Sequence, residues 1–541
     1  MVGRTPQDIT ADDGTVGSSG SDQRSVQMAN IAAGKAVGEL VRTTLGPRGL
    51  DKLLVDDDGM GIVTNNGASI LREMVDHPIG DIIADLSVSH EDGVRDGTTT
   101  TAVLAGRLLG EAETLIERDI HPTTIARGYR AAAERAGEIL DEHATVIEPS
   151  DTERLTSLAA TSMSGKGTMK EDVVPSLVVE AVQRVRTDGD VDRDAIRIEK
   201  ITGAPVDNSV MMDGVILDQE RADSVTPYRV EDATIAVFDK DIEPRESGLE
   251  LDVDVTTPSD VARIQENQRA EIVSIVDHLD DLGVDAVIGG ENIAEELRER
   301  LAKRGMYVVR RVHDDEIAHL AKATGANVKG TVRELSADDL GYAEIVEETD
   351  LGGELQTRVQ GCATETTATL VLYGSTRDVV DELHRAVKDA ISVVSCAIDE
   401  PKIIPGGGAP ETAIALRLHQ YAKEFDSREQ LAIEAYANAL EVVPSTLAEN
   451  AGVDPILGLV NLRAVQSNGD TLAGIDGETG EIIDPVEAGI IEPFSVKLRS
   501  ITTAPQVAET ILRIDDFLPM SFEIDEDKLP ANGPAGGMGA P

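Results

Sequence analysis

The sequence predicts a multidomain protein of the mixed α and α/β class. The chain has 541 residues, whereas a single hydrophobic core stops growing at roughly 250 to 300 residues. Apolar residues recur at helical spacing in the first and last parts of the chain, while the middle part alternates short β-rich runs with helical stretches. We therefore expect three or four domains, with an α/β domain inserted between helix-rich flanks.

The helix-rich first part covers residues 28–143. Its apolar stripes run over 31–45, 101–116 and 125–140. Glycine-containing turns separate these stripes and mark the loops between the helices. We therefore expect helices joined by turns in this part of the chain.

The middle part, roughly residues 221 to 373, changes character. Short β-rich runs alternate there with helical stretches, which is typical of an α/β domain. The β-rich runs are 233–238, 284–288, 306–312 and 368–373, and the helical stretches begin near Ser259, Asn292 and Asp314.

Helical spacing returns in the last part of the chain. The clearest stretches are 379–394, 411–422 and 428–447. The closing segment 531–541 is rich in Gly, Pro and Met and is predicted to be a disordered tail.

The net charge of the chain restricts the kinds of partner that it can bind. The chain has 100 acidic against 49 basic residues and a formal charge of -51, and so negative a surface repels phosphate backbones and anionic lipids. We expect neither a nucleic acid nor a membrane as partner. Arginine supplies 35 of the basic residues and lysine 14, and arginine is the more weakly hydrated cation. The balance predicts a halophilic protein, although an acidic protein from an ordinary cytosol is the alternative.

Cysteine content and the N-terminal segment bear on localisation. Cys362 and Cys396 are the two cysteines, too few for a disulfide framework or a zinc cluster. Residues 1–25 are polar and lack the apolar stretch of a signal peptide, and no run of 18 apolar residues occurs. A cytoplasmic location is expected.

One segment has the composition of a phosphate site. Residues 96–101, DGTTTT, lead directly into an apolar helical run. Free N–H groups, hydroxyls and the positive end of a helix would converge there on an anion, and a carboxylate beside a phosphate suits Mg²⁺. The alternative is an ordinary Asp or Thr N-cap without a ligand.

Other turns are less specific. TLGPRG (44–49) has the composition of a helix C-cap, and GGG (406–408) permits either close backbone approach to a ligand or a flexible joint. SGKG (164–167) is not a P-loop, because Ala160 occupies the position of the first glycine and Gly167 that of Ser or Thr. Motifs of zinc proteases, α/β-hydrolases and EF-hands do not occur.

Eight segments, taken together and in chain order, closely resemble the group II chaperonins, the family of archaeal thermosomes and eukaryotic cytosolic chaperonins. The resemblance extends over about residues 26–520, and the acidic composition is similar to that of a haloarchaeal-type subunit. The segments are VRTTLGPRGLDKLLV (41–55), RDGTTTTAVLAG (95–106), HPTTIARGY (121–129), TSMSGKG (161–167), LAKATGANV (320–328), PGGGAPE (405–411), REQLAIEAYANALEVVPSTLAENAG (428–452) and LRIDD (512–516).

The resemblance implies a chaperonin fold within a double ring. Each subunit would have a helical equatorial domain, a small intermediate domain and an α/β apical domain with a helical protrusion that acts as a lid. By this likeness the equatorial domain comprises 22–150 and 409–521, the intermediate domain 151–220 and 374–408, and the apical domain 221–373 with the lid at about 248–282, while 1–21 and 522–541 are tails.

The resemblance also implies the residues of a Mg-ATP site. Asp96 matches the family's Mg²⁺ ligand, and Asp389 matches the intermediate-domain carboxylate that positions the attacking water. Such a carboxylate would reach the γ-phosphate only on domain closure, which ties hydrolysis to lid movement. Lys166 matches a lysine that senses the γ-phosphate. The other nucleotide contacts implied are Thr44, Leu45, Gly46, Pro47, Gly97, Thr98, Thr99, Thr100, Gly407 and Glu492.

Two positions depart from the family pattern. Asn66 stands where the family has an aspartate that works with the metal and the attacking water, and Arg95 replaces a glycine before Asp96. An amide carries no negative charge and is not a base. The sequence therefore predicts ATP binding with slow hydrolysis, by a catalytic set of Asp389, Asp96 and Asn66.

The function implied is that of an ATP-dependent protein-folding chaperone. Non-native polypeptides would be its substrates, and other chaperonin subunits its partners in a homo- or hetero-oligomeric ring. One alternative is a ring subunit that binds nucleotide, hydrolyses it weakly and mainly tunes assembly. A small-molecule kinase or phosphatase is the other, and it leaves most of the eight segments unexplained.

Overall fold

The computed structural model describes residues 20–55, 61–74, 78–88, 96–165, 173–187, 189–244, 258–364, 366–469 and 472–514. Its helices are α1 (Gly20–Arg42), α2 (Gly67–Met74), α3 (Pro78–Val88), α4 (Thr98–Glu117), α5 (Pro122–Glu142), α6 (Thr152–Met163), α7 (Val173–Arg184), α8 (Pro258–Asp281), α9 (Glu295–Lys303), α10 (Asp314–Thr324), α11 (Arg377–Asp399), α12 (Ala409–Tyr421), α13 (Glu429–Leu440), α14 (Val442–Asn450), α15 (Pro455–Ser467) and α16 (Phe494–Leu512). Its strands are β1 (Lys52–Val55), β2 (Gly61–Thr64), β3 (Thr145–Val146), β4 (Arg186–Thr187), β5 (Asp190–Val191), β6 (Ile196–Thr202), β7 (Val210–Met212), β8 (Val215–Leu217), β9 (Arg229–Phe238), β10 (Ala286–Gly289), β11 (Tyr307–Val309), β12 (Gly341–Leu351), β13 (Glu354–Cys362), β14 (Ala368–Gly374), β15 (Lys402–Pro405), β16 (Gly474–Ile475), β17 (Ile482–Ile483) and β18 (Ile491–Pro493).

The first core joins helices from both ends of the chain. Helices α1 to α5 and α12 to α16 share one apolar interior, in which α4 packs on α1 and α16 while α5 packs on α13. Two buried hydroxyls find partners on other helices: Tyr129 donates to the Leu108 carbonyl (2.8 Å) and Tyr436 to the Ile501 carbonyl (2.6 Å). The predicted helical flanks thus fold together.

The second core consists of α6, α7 and α11 packed on a three-stranded sheet of order β6-β14-β7. Strand β14 pairs parallel with β6 and antiparallel with β7. Our grouping of 368–373 with the central α/β part is therefore wrong. The strand is buried almost throughout, and a continuous apolar run does not reveal which sheet it joins.

The third part is a six-stranded sheet of order β11-β10-β9-β12-β13-β8. Strands β9, β10 and β11 are parallel, and β12, β13 and β8 continue the sheet antiparallel. Helix α10 covers one face, while α8 and α9 cover the other. The predicted α/β class is confirmed, although β8 lies before the expected start at residue 221.

The predicted lid is described only from residue 258 onward. Helix α8 forms where the helical stretch near Ser259 was predicted, and its second half buries Ile272, Ile275 and Leu279 against the six-stranded sheet. Residues 248–257, residues 1–19 of the predicted tail 1–21, and the predicted tail 522–541 lie outside the described residues. Residues 20 and 21 belong to α1, so the predicted tail extends too far. No described helix is long and apolar enough to cross a membrane.

Candidate functional site

A cavity of about 520 Å³ lies where the first and second cores meet. Elements of the first core form most of its wall, and α11 of the second core contributes Asp389. The predicted site residues that line it are Thr44, Leu45, Gly46, Pro47, Asn66, Asp96, Gly97, Thr98, Thr99, Thr100, Asp389, Gly407 and Glu492. Lys166 lies outside the described residues, as does Arg95.

The N-terminus of α4 forms one wall of the cavity. Its N-cap is Gly97, at φ +88°, and no side chain caps the helix. The N–H groups of the first turn, from Thr98 to Thr100, have no partner within the helix. The alternative of a simple Asp or Thr N-cap is therefore wrong, and the exposed helix end is suited to bind an anion.

Tight packing explains why glycine is required at residue 97. Positive φ disfavours a side chain, and a Cβ there would lie only 2.8 Å from Oγ of Ser500 on α16. Asp96 Oδ1 accepts a hydrogen bond from the N–H of Gly97 (2.8 Å). This contact holds the carboxylate beside the helix end.

The turn after α1 forms a second part of the wall. Thr44 is buried, and its hydroxyl donates to the Val41 carbonyl (2.8 Å). At the end of α14, Asn450 donates through Nδ2 to the Leu45 carbonyl (2.8 Å). The turn is thus fixed by contacts within its own helix and with a distant one.

Asn65 is a cavity residue that the sequence analysis missed. Its Nδ2 donates to the Gly165 carbonyl (2.8 Å), which ties the loop after α6 to the wall of the cavity. Gly165 immediately precedes Lys166 in the chain. Nothing in the local sequence distinguishes Asn65 from its neighbour Asn66 as the residue that makes this contact.

Asn66 and Asp389 connect the two cores across the cavity. Asn66 caps α2, because its Oδ1 accepts from the Ser69 N–H (3.1 Å) and its carbonyl accepts from the Ile70 N–H (3.1 Å). The Nδ2 of the same side chain donates to Oδ2 of the buried Asp389 at 3.5 Å. The amide thus provides a donor to Asp389 where an aspartate would bring a second negative charge.

The glycine turn 406–408 and strand β18 form another part of the cavity wall. Gly407 has φ +66°, and a Cβ on it would lie 2.6 Å from the Ile475 carbonyl oxygen. Only glycine fits this close approach. Glu492 pairs with Ile404 in the sheet register, and its carboxylate contacts Nζ of Lys497 at 2.9 Å.

The charged side chains that line the cavity are mostly acidic. They decide whether the cavity could hold Mg²⁺ together with a polyphosphate. Within the described ranges no group of three His, Cys, Asp or Glu side chains converges on a metal position. Mg²⁺ commonly binds through one or two carboxylates plus phosphate oxygens, and Asp96 offers a carboxylate where phosphates would meet α4. The described charged residues of the lining are Asp96, Asp389, Asp476, Glu478, Glu492 and Lys497.

Comparisons with known proteins agree on one family. The model of the TCP-1/cpn60 chaperonin family matches residues 37–521. Thermosome subunit 1 of Haloferax volcanii is 46% identical over 502 residues, covering 92% of this chain and 89% of the relative. Thermosome subunit alpha of Halobacterium salinarum is 45% identical, covering 96% and 92%. For thermosome subunit beta of Methanothermobacter thermautotrophicus the identity is 45% and the coverage 95% and 96%.

Proposed function

Because this chain belongs to the TCP-1/cpn60 chaperonin family, as a group II subunit, we propose that the cavity between its first and second cores is the ATP site that drives protein folding. The chain is an ATP-dependent chaperonin subunit, an ATPase of a double ring that folds other polypeptides. The observation that carries the site assignment is the convergence, in one cavity, of residues from distant parts of the chain.

The three packed parts support a chaperonin domain scheme. The first core corresponds to the equatorial domain, the second to the intermediate domain and the six-stranded sheet to the apical domain. The strand pairing favours an apical sheet extending over 215–362, with β14 in the intermediate domain.

The phosphates would bind at the exposed N-terminus of α4. Its first-turn N–H groups and the Thr98, Thr99 and Thr100 hydroxyls are the donors, and the turn at Thr44 to Pro47 forms a second part of the wall. Asp96 would hold Mg²⁺, which supplies positive charge to the phosphates in a cavity with more carboxylates than cations. Gly407 and Glu492 would contact the nucleoside.

Asp389 would position the attacking water. It is on α11 of the second core, whereas the proposed phosphate donors belong to the first core. A small movement of the second core would therefore change the distance from Asp389 to the γ-phosphate. Hydrolysis would proceed when the domains close, which is how lid movement and chemistry become coupled.

A second candidate function is a subunit that binds ATP, hydrolyses it slowly and mainly shapes the ring. The observation that favours it is Asn66, which donates to Asp389 instead of presenting a carboxylate. Fuller-activity paralogues would then supply most of the turnover. Both candidates use the same ATP site.

The proposed partners follow from the family and the charge. Non-native polypeptides would be the clients, and copies of this chain or related subunits would complete the ring. The net charge of -51 disfavours nucleic acid and anionic membrane as partners. We assign the protein to a salt-rich cytoplasm.

Replacement of Asp96 tests the metal assignment. Asp96→Ala should weaken binding of Mg-ATP and make the remaining affinity for ATP nearly independent of Mg²⁺, measured by calorimetric titration in high KCl. Asp85→Ala, which removes an exposed aspartate of α3, is the matched control. Unchanged Mg²⁺ dependence in Asp96→Ala would show that the metal ligand is elsewhere.

A further inference from the structure

Three charged side chains, two of them in the cavity lining, contact one another. Lys497 of α16 contacts Oε1 of Glu411 on α12 at 2.7 Å and Oε2 of Glu492 on β18 at 2.9 Å. The lysine side chain is 4% exposed, that of Glu411 is 0% exposed and that of Glu492 is 27% exposed. One ammonium group thus donates to two carboxylates, one fully buried and one facing the cavity.

Stability alone gives little reason to bury these charges. Removing charged groups from water is costly, and apolar replacements of a buried ion pair are often neutral or stabilising. Here one carboxylate is in excess, and Oε2 of Glu411 has no hydrogen-bond partner among the described residues. Burial lowers the pKa of Lys497, but the charges of Glu411 and Glu492 outweigh it and raise that pKa above its ordinary value.

The arrangement fixes where the Glu492 carboxylate lies. Its backbone is held by pairing with Ile404 of β15, and its Oε2 is held by Lys497. A Cβ built on Gly406 would lie 3.4 Å from its Oε1, so this second oxygen lies against the glycine turn. Lys497 and Glu492 line the cavity, whereas Glu411 is not part of the lining.

We propose that Lys497 is a positioning residue for the nucleoside: anchored on Glu411, it holds the Glu492 carboxylate so that Oε1 accepts hydrogen bonds from the donors of the nucleoside. This inference rests on the proposed function, since it takes the cavity as the ATP site with Glu492 at its nucleoside end. Lys497 is held between the carboxylates of Glu411 and Glu492 and acts on the nucleoside through Glu492. Its loss should therefore affect nucleoside recognition more than phosphate binding.

Binding of two ligands separates positioning from general structural support. ATP has a nucleoside, whereas Mg-tripolyphosphate carries the same type of phosphate chain without one. In Lys497→Met, the dissociation constant for Mg-ATP should rise about tenfold or more, as expected for loss of a hydrogen bond to a charged group. The affinity for Mg-tripolyphosphate should change by less than about threefold, within the usual spread of such effects.

A second variant tests whether weak ATP binding by Lys497→Met is only a consequence of misfolding. Lys497→Met leaves two carboxylates unpaired, and that can destabilise the chain by itself. The double variant Glu411→Met/Lys497→Met removes the buried pair and should recover thermal stability in high KCl, yet it should bind Mg-ATP as weakly as Lys497→Met. In a Glu492→Gln background, Lys497→Met should cause little further loss of ATP affinity.

The outcomes separate failure of the positioning role from failure of the ATP site. Equal weakening of ATP and tripolyphosphate binding, or recovery of ATP affinity in the double variant, would reduce Lys497 to a structural role. Unchanged ATP affinity in Lys497→Met would show that Lys497 has no role in nucleotide binding. A wild-type chain that binds tripolyphosphate and ATP equally, or neither, would overturn the assignment of the cavity as the ATP site.

Discussion

The chemistry of the site depends on single atoms of Asn66 and Asp389. The amide of Asn66 caps α2 with its oxygen and faces Oδ2 of Asp389 with its nitrogen. An aspartate at residue 66 would retain the cap, because carboxylates and amides both serve at N-caps, but it would replace the donor to Asp389 with a second carboxylate. In the proposed ATP site, the pair would therefore determine how much negative charge faces the metal and the attacking water.

Replacing Asp389 separates binding from catalysis. Asp389→Ala should nearly abolish ATP turnover and leave nucleotide affinity largely intact, because positioning of water contributes more in the transition state than in the ground state. Turnover and calorimetric binding, both in high KCl, measure the two effects. Asp378→Ala, which removes an exposed aspartate of the same helix, is the control. Hydrolysis by Asp389→Ala at the wild-type rate would show that the water is positioned by another group.

Restoring the family carboxylate should accelerate the reaction. Asn66→Asp returns negative charge to a site where a cation and a water are activated, and single groups of this kind contribute about 10² to 10³ in rate. We therefore expect wild-type turnover to be slow and Asn66→Asp to be faster in saturating Mg-ATP. Steady-state ATPase rates in the same salt provide the measurement.

Deamidation has to be controlled in that comparison. Asn66 precedes Gly67, and a glycine leaves the neighbouring backbone amide unhindered, so an aged sample could acquire an acid at residue 66. Fresh protein with an intact Asn66, verified by peptide mass, is the proper reference. Equal turnover of the two proteins would mean that another carboxylate compensates and that the departure from the family has no catalytic meaning.

At the scale of helices and strands, the spacing of apolar residues predicted whether most segments form a helix or a strand. It did not predict which other elements they pack against or pair with. The stretch 428–447 was expected to be one helix, yet it divides between α13 and α14 at Glu441, whose carboxylate pairs with Arg463 of α15. The assignment of β14 failed for a related reason, since a strand buried on both faces carries no mark of its sheet. Local pattern specifies an element, whereas pairing depends on residues far away in the chain.

Buried His319 on α10 and half-buried His384 on α11 line one cavity and make stability sensitive to acid. Burial, reinforced by the charges of Arg197 and Lys322, lowers the pKa of His319 to about 4. Burial, reinforced by Lys388, also lowers the pKa of His384 to about 4. Between pH 6.5 and 4 the unfolded chain would bind more protons than the folded chain, so the free energy of unfolding should fall as the pH falls through this range.

The variant His319→Gln tests this dependence. For a pKa lowered from 6.5 to about 4, the loss of stability at pH 4 amounts to roughly 3 kcal/mol, and the variant should lose correspondingly less. Thermal midpoints from pH 4 to 7.5 in high KCl measure it, with His419→Gln on α12 as control. Identical pH dependence of wild type and His319→Gln would contradict the prediction.

At the scale of the whole molecule, the distribution of charge governs folding and assembly. A formal charge of -51 destabilises a compact chain through self-repulsion, and subunits of like charge also repel each other in a ring. At about 1 M salt the Debye length falls to roughly 3 Å, which screens most of this repulsion.

Folding and ring assembly should therefore require high salt. Circular dichroism across a KCl series should show gain of helical structure with rising salt, and light scattering should show assembly over the same range. Full assembly in dilute buffer would contradict the expectation. A mesophilic acidic chaperonin would then be the better description.

The sequence could predict which residues line the cavity better than which residues support it. The cavity residues were predicted because eight segments resemble one family, and those that the structure describes lie together in the fold. Their role in binding ATP stays a prediction. The contact between Lys497 and Glu411 was not predicted, because the two residues are 86 positions apart along the chain. The contact between Lys497 and Glu492 was not predicted either, because an isolated lysine in a helical pattern is usually solvent-exposed. Buried ion pairs appear only once the helices are packed.

The most direct test of the account measures ATP hydrolysis and protein folding together. Chaperonin containing this chain is mixed with a denatured client in high KCl, and phosphate release, aggregation and recovered client activity are followed with and without Mg-ATP. We predict that the wild-type chain suppresses aggregation and releases active client only with Mg-ATP, whereas Asp389→Ala captures client but does not release it in active form. Equal client recovery without nucleotide, or by Asp389→Ala, would contradict the claim that this cavity drives folding by hydrolysing ATP.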